Sequence, residues 1–320
     1  MFNPNYIPSD YLREIVLAKG TSAQLFLYYA IFSDLKPMMD DWIPLDRMEI
    51  FEKACRKYGL LIQKECLFLE TKPIRQLFDK SIGAAQAPTT KSFGAPLNSG
   101  YDGFVHVFIS KSKEILEEGK RYGTYPLAVN GRVMIKPRFD YLKFGIFLGY
   151  PKCCIKFFSE YNNHLKYPNT LFLPFSNTKS KPHFLCNSLT KDSYSYIYHI
   201  PCSFACKKTI KLASKLREFI YEKDPSYGRL IDEHLKNIFL VFKEKNMYAF
   251  KGDSNKNTIR YNQCFFIDYS IYKPTYLNFF NDGNKIIVEK NLIKIFSNNN
   301  LIHKIEKEHP QNGFIISFKD

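Results

Sequence analysis

Two short stretches concentrate the reactive side chains of this chain, Gly149-Tyr150-Pro151-Lys152-Cys153-Cys154 and His199-Ile200-Pro201-Cys202-Ser203-Phe204-Ala205-Cys206. In each, a proline leads into a pair of cysteines. Proline is favoured at a helix start, because its missing N–H costs nothing there and its φ is already helical. The pattern therefore predicts two helix starts, each bearing two thiols. Free backbone N–H groups and the helix dipole at such a start favour thiolate, the form that binds metals and attacks electrophiles.

Adjacent cysteines on a helix diverge by about 100°, whereas Cys202 and Cys206, four apart, share one face. If the two starts meet, four thiolates converge and three centres compete. Zinc accepts four sulfurs in a tetrahedron, but structural zinc sites usually separate ligands by about two to four residues. An iron–sulfur cluster, 4Fe-4S above all, offers several irons, so neighbouring Cys153 and Cys154 can each take a different one. That cluster is the favoured expectation. The third option is a vicinal dithiol acting directly in redox chemistry.

The neighbours add two candidate catalytic residues. His199 stands three positions before Cys202, as a further ligand, a proton donor or an orienting group. Cys186, in Phe184-Leu185-Cys186-Asn187, is the nearest further thiol. Asn187 and Ser203 are placed to hydrogen-bond a sulfur or a substrate, and Lys152 adds positive charge that suits thiolates. Were only three cysteines to hold a cubane cluster, the open iron would polarise a substrate atom as a Lewis acid.

These residues need a scaffold. Periodicity and caps predict helices over 11–18 after Ser9-Asp10, from Ser22 to Lys36, from Pro44 to Gly59 with Cys55 on the apolar face, over 71–81, over 111–119 capped by Ser110, over 137–148, from Lys152, and from Cys202 to Glu222. Residues 60–62, 66–69 and 103–110 read as strand, with His106 a packed or surface histidine. Residues 83–100, rich in Gly, Ala, Pro, Thr and Ser, read as a loop, and so do residues 162–196. Short β-branched and aromatic runs at 238–242, 247–250, 263–269, 285–289, 292–296 and 313–318 alternate with turn signals, which predicts an antiparallel tail. The expected class is α+β, in three parts: a mostly helical 1–100, a cysteine-motif core 101–235 and an antiparallel β domain 236–320.

Composition bounds the function. No apolar run approaches the roughly 20 residues that span a bilayer, and the first residues carry no secretory pattern, so no membrane and a cytoplasmic, reducing location are expected. There, eight cysteines argue for metal or redox chemistry over a disulfide framework. A net charge of +15 suggests a polyanionic partner. Abundant Lys, Asn, Ile, Phe and Tyr beside scarce Ala and Gly also fit a coding sequence rich in A and T, which would make the charge a solvated surface.

The run from Leu148 to Cys154 with Phe157-Phe158, then Leu185-Cys186-Asn187, then His199 to Cys206 resembles an uncharacterised prokaryotic family, domain of unknown function 483. The strand and helix of Val105 to Glu118 resemble the segment that precedes the cysteines there, so the likeness covers roughly 100–225. It implies that the cysteines and the histidine form one functional unit and implies no reaction.

The expected function is a cytoplasmic iron–sulfur enzyme in which Cys153, Cys154, Cys202 and Cys206 hold the cluster near His199 and Cys186. Sulfur transfer, desulfuration or a lyase-type step on an anionic small molecule would fit. One alternative is a zinc-braced basic module that grips RNA or single-stranded DNA. The other is a metal-free thiol oxidoreductase in which Cys153 or Cys154 attacks.

Overall fold

The computed structural model describes residues 6–70, 92–95, 97, 102–124, 127–129, 132–135, 138–161, 169–243, 246–267 and 274–319. It is an α+β protein whose C-terminal region is an antiparallel sheet. The chain divides into two compact units between Asn163 and His164. The helix expected over 71–81, and most of the loop expected over 83–100, lie outside the described residues.

In the N-terminal unit, strands β1 (Met38–Pro44), β2 (Leu61–Glu70), β3 (Ser92–Ala95) and β4 (Phe104–Ser110) form an antiparallel sheet in the order β1-β4-β2-β3. Strand β4 lies inside this sheet, paired on both edges and buried from Val105 to Ser110. Strand β1 has no strand signature in its sequence, since Met38-Met39-Asp40-Asp41-Trp42 carries two acids at strand positions. Asp41 is tolerated because helices α1 (Arg13–Lys19) and α2 (Leu25–Phe32) supply Lys19 Nζ at 2.6 Å and Tyr28 Oη at 2.6 Å. Helix α3 (Met48–Lys57) carries Cys55, which is fully buried.

Helix α1 starts at a left-handed Leu12 without a side-chain cap, so Ser9-Asp10 is not its N-cap. Helix α4 (Lys113–Lys120) is capped by Ser112, whose Oγ accepts from Ile115 N at 3.3 Å, and not by Ser110. The Ser110 hydroxyl instead donates to Pro37 O at 2.6 Å. Short pairs join β5 (Gly123–Thr124) to β8 (Arg138–Phe139) and β6 (Leu127–Val129) to β7 (Arg132–Ile135). Helices α5 (Tyr141–Phe147) and α6 (Lys152–Tyr161) follow.

In the C-terminal unit the strands are β9 (Ile238–Lys243), β10 (Asn246–Asn255), β11 (Thr258–Phe266), β12 (Lys285–Val288), β13 (Leu292–Ser297), β14 (Asn300–Glu306) and β15 (Phe314–Ser317). They form one antiparallel sheet, β14-β13-β12-β11-β10-β9-β15. Strand β10 carries a bulge between Lys251 and Gly252, where a Cβ on Gly252 would fall 1.9 Å from Arg260 O. Because side chains alternate along a strand, Ile238, Leu240 and Phe242 enter one core while Phe239 and Val241 enter another. The second core also takes Leu171, Leu189 and Phe204, so the sheet is the bed on which the cysteine-bearing segment lies. Helices α7 (Phe172–Ser176), α8 (Lys207–Lys223), α9 (Pro225–Leu235) and α10 (Leu277–Asp282) complete this unit. Among the described residues no helix is long and apolar enough to cross a membrane.

Candidate metal centre

Gly149 ends α5 at φ 71°, with its N–H bonded to Ile146 O at 2.9 Å and the Tyr150 N–H to Gly145 O at 2.9 Å. This is the paired closure that a left-handed residue gives a helix end. A Cβ at Gly149 would lie 2.6 Å from Leu35 O, so only glycine fits. Pro151 then caps α6, its carbonyl accepting from Cys154 N at 2.8 Å and Ile155 N at 3.0 Å. Cys153 and Cys154 thus occupy the first turn of α6, as the sequence predicts. Cys154 is buried and Cys153 half-buried, and their sulfurs are 3.9 Å apart.

The turn is held from a distant part of the chain. The buried amine of Lys36 donates to Leu148 O and sits 4.4 Å from the Tyr150 ring centroid. Burial, only partly opposed by Asp40, lowers its pKa to about 7. No local pattern reveals this contact, which spans 112 positions of sequence.

The second motif departs from its reading. Helix α8 begins at Lys207 with Cys206 as its N-cap, so Cys202 lies four residues before the cap and the two cysteines do not share a helical face. Residues 201–206 are turns because local acceptors compete with the helical ladder. Ser203 Oγ accepts from Ala205 N at 3.1 Å, Thr178 Oγ1 accepts from Phe204 N at 3.0 Å, and His183 N donates to Phe204 O at 2.8 Å. Asn177 Nδ2 donates to Cys202 O at 3.2 Å. Phe204, fully buried and edge-on to Phe318 at 5.4 Å, anchors the loop between its two cysteines.

The sulfurs of Cys153, Cys154, Cys202 and Cys206 all lie within 4.8 Å of one another. Four thiols at this spacing could hold a metal. The convergence that the sequence expects from two helix starts therefore exists, reached through one helix start and one anchored loop.

Cys186 is fully buried on a short turn and its thiol donates to Cys206 O at 3.5 Å. Burial pushes this thiol well above its ordinary pKa, with Cys206 adding to the rise. The His199 ring, also buried, pairs its Nε2 with Thr209 Oγ1 at 3.0 Å. Asn187 has structural partners, donating to Leu235 O at 3.0 Å and accepting from Leu189 N at 3.0 Å. Lys152 is exposed on the first turn of α6.

Comparison with known families places this segment. Residues 121–235 match the family described as Protein of unknown function (DUF483). The match includes all four clustered cysteines with Cys186 and His199, in agreement with the resemblance carried by the two motifs. No curated protein and no solved structure matches the chain.

Proposed function

We propose that Cys153, Cys154, Cys202 and Cys206 hold a single tetrahedral metal ion, zinc in the first instance, and that the chain is a metal-braced binding module. The spacing of the sulfurs carries this reading. Thiolates about 2.3 Å from one zinc stand about 3.8 Å from each other, against 3.9 Å for Cys153 and Cys154 and at most 4.8 Å for the whole set. Thiolates radiating from the four irons of a cubane stand roughly 6 Å apart. A cubane would require every pair to open by more than an ångström.

Four protein thiolates close the coordination sphere, and a closed sphere is the mark of structural zinc. His199 and Cys186 then act as outer partners, Cys186 through the Cys206 carbonyl and His199 through Thr209, which lies in the first turn of α8. The net charge of +15 points to a polyanionic partner for such a module.

The vicinal cysteines favour the second reading, an iron–sulfur enzyme with His199 and Cys186 at the cluster edge acting on an anionic small molecule, because neighbouring thiolates can ligate separate irons. Elemental analysis with an absorption spectrum of anaerobically purified protein decides between them. The zinc reading expects a colourless protein with one zinc per chain and no acid-labile sulfide. A brown protein with iron and sulfide in equal amounts overturns it and selects the cluster. A folded, metal-free protein that binds neither on reconstitution overturns both and leaves the thiol oxidoreductase.

A further inference from the structure

We propose that the lysine ridge of α8 docks the phosphodiester backbone of a nucleic acid. The proposal rests on the binding-module reading above and names its partner. Lys207, Lys208, Lys211 and Lys215 are all exposed on the first half of this 17-residue helix, and its first turn contains no acid. The acids Glu218 and Glu222 lie in the second half. This order opposes the helix dipole, which favours anions at the start and cations at the end. Helix stability therefore does not account for the ridge.

Ion pairing does not account for it either. Some exposed lysines meet carboxylates, as Lys53 meets Glu49 at 2.8 Å, Lys57 meets Glu14 at 2.6 Å and Lys113 meets Glu117 at 3.8 Å. Among the described residues the four ridge lysines have no such partner within 4.0 Å. From Asn169 to Arg217 the sequence contains a single carboxylate, Asp192. Exposed Lys179 and Lys181 extend the basic surface from the segment that is hydrogen-bonded to Cys202 and Phe204.

Lys207, Lys211 and Lys215 follow one face at intervals of about 6 Å along the axis, a step comparable with that between phosphates of an extended strand. Such contacts grip the backbone without reading bases. A membrane surface fits less well, because a helix lying on lipid needs an exposed apolar face. The apolar stripe of α8, Ala213, Leu216 and Ile220, is buried.

The test uses the full-length, metal-loaded protein and a short fluorescent single-stranded RNA, with DNA of the same sequence and the duplex as further arms. Binding is followed by anisotropy across a salt series. The Lys207→Gln/Lys211→Gln/Lys215→Gln variant is expected to lose about tenfold in affinity or more at low salt. Its slope of log affinity against log salt should fall by about 2, three single-strand contacts being removed. Lys53→Gln/Lys57→Gln/Lys113→Gln, with the same change in net charge but on paired lysines, should bind like the wild type.

Equal losses in both variants, or an unchanged slope in the ridge variant, overturn the proposal. So does wild-type binding to phosphatidylserine vesicles without binding to any of the three nucleic acids. Metal is measured on the same samples. Ridge-dependent binding by metal-free wild type refutes the metal centre alone, and metal-loaded protein with no slope difference refutes the ridge alone.

Discussion

The Lys36 amine lies over the Tyr150 ring, 4.4 Å from its centroid, and so braces the turn that presents Cys153 and Cys154. Its folded pKa of about 7 lies far below the usual lysine value of 10.5 because the amine is buried. Between these two values the unfolded chain binds more protons, so stability rises with pH across pH 7 to 10.5. Compared with Lys36→Met, the wild type should gain on the order of 2–3 kcal/mol between pH 7 and 9.5, read from urea melts at both pH values. Parallel pH profiles for the two proteins would remove the assignment.

His106 gives the opposite sign. Its buried ring has Nδ1 against Glu65 and Nε2 3.4 Å from Asp40 Oδ2. Burial lowers its pKa, but the hydrogen bonds and charges of the two carboxylates outweigh it and raise the value to about 9. A raised value means stability that is fully present below about pH 6.5 and lost as pH climbs through 9. His106→Gln should abolish roughly 2–3 kcal/mol of that loss, and the His106 ring signal in NMR should titrate near pH 9. A ring that titrates near 6.5 contradicts the prediction.

Asp232 gathers three side chains. Arg217 grips it with Nε at 3.0 Å and a terminal nitrogen at 2.6 Å, while Tyr196 and Tyr221 donate at 2.7 and 3.1 Å. Despite partial burial, which alone would raise it, these donors hold its carboxyl below the ordinary pKa. Asp232→Asn should cost about 2–3 kcal/mol, because it strands a cation and a buried hydroxyl. The wild-type advantage should be lost as pH falls below the ordinary aspartate range. Thermal melts at pH 7 and pH 3.5 check both the size and the sign.

Cys186 separates an outer thiol from a ligand. Its sulfur meets the Cys206 carbonyl and is not among the four clustered sulfurs. Cys186→Ala should retain one metal per chain while losing about 1–3 kcal/mol of stability to the cavity left by the buried sulfur, since the Cys206 carbonyl still accepts from Ile210 N at 2.9 Å. Cys206→Ser should lose the metal. Equal metal loss in both variants, measured by elemental analysis, would make Cys186 a ligand.

The chemistry-bearing residues were legible because their signals are local. Gly149 at a left-handed helix end, Pro151 before a first turn and the paired cysteines are each set by a few neighbouring backbone dihedrals. Alternation along β9 and the Asn298-Asn299 hairpin, both residues at positive φ, are local in the same way. The start of α8 was misplaced because Pro201 and the 202/206 spacing imitate a helix start. Thr178, His183 and the core beneath Phe204 hold those residues in turns, and none of them is near in sequence. Strand β1 is not legible in the sequence because Asp41 reads as solvent-facing, whereas in the fold Lys19 and Tyr28 meet it.

The sequence by itself determined which atoms could do chemistry here, since thiol identity and first-turn position follow from covalent structure and short-range sterics. Only the tertiary structure decided that Cys153, Cys154, Cys202 and Cys206 come within 4.8 Å, that Lys36 reaches the Tyr150 turn and that Lys207, Lys208, Lys211 and Lys215 meet no carboxylate among the described residues. Those facts depend on contacts between residues far apart in the chain. Burial of apolar surface stabilises such contacts without regard to sequence separation, so no spacing rule encodes them.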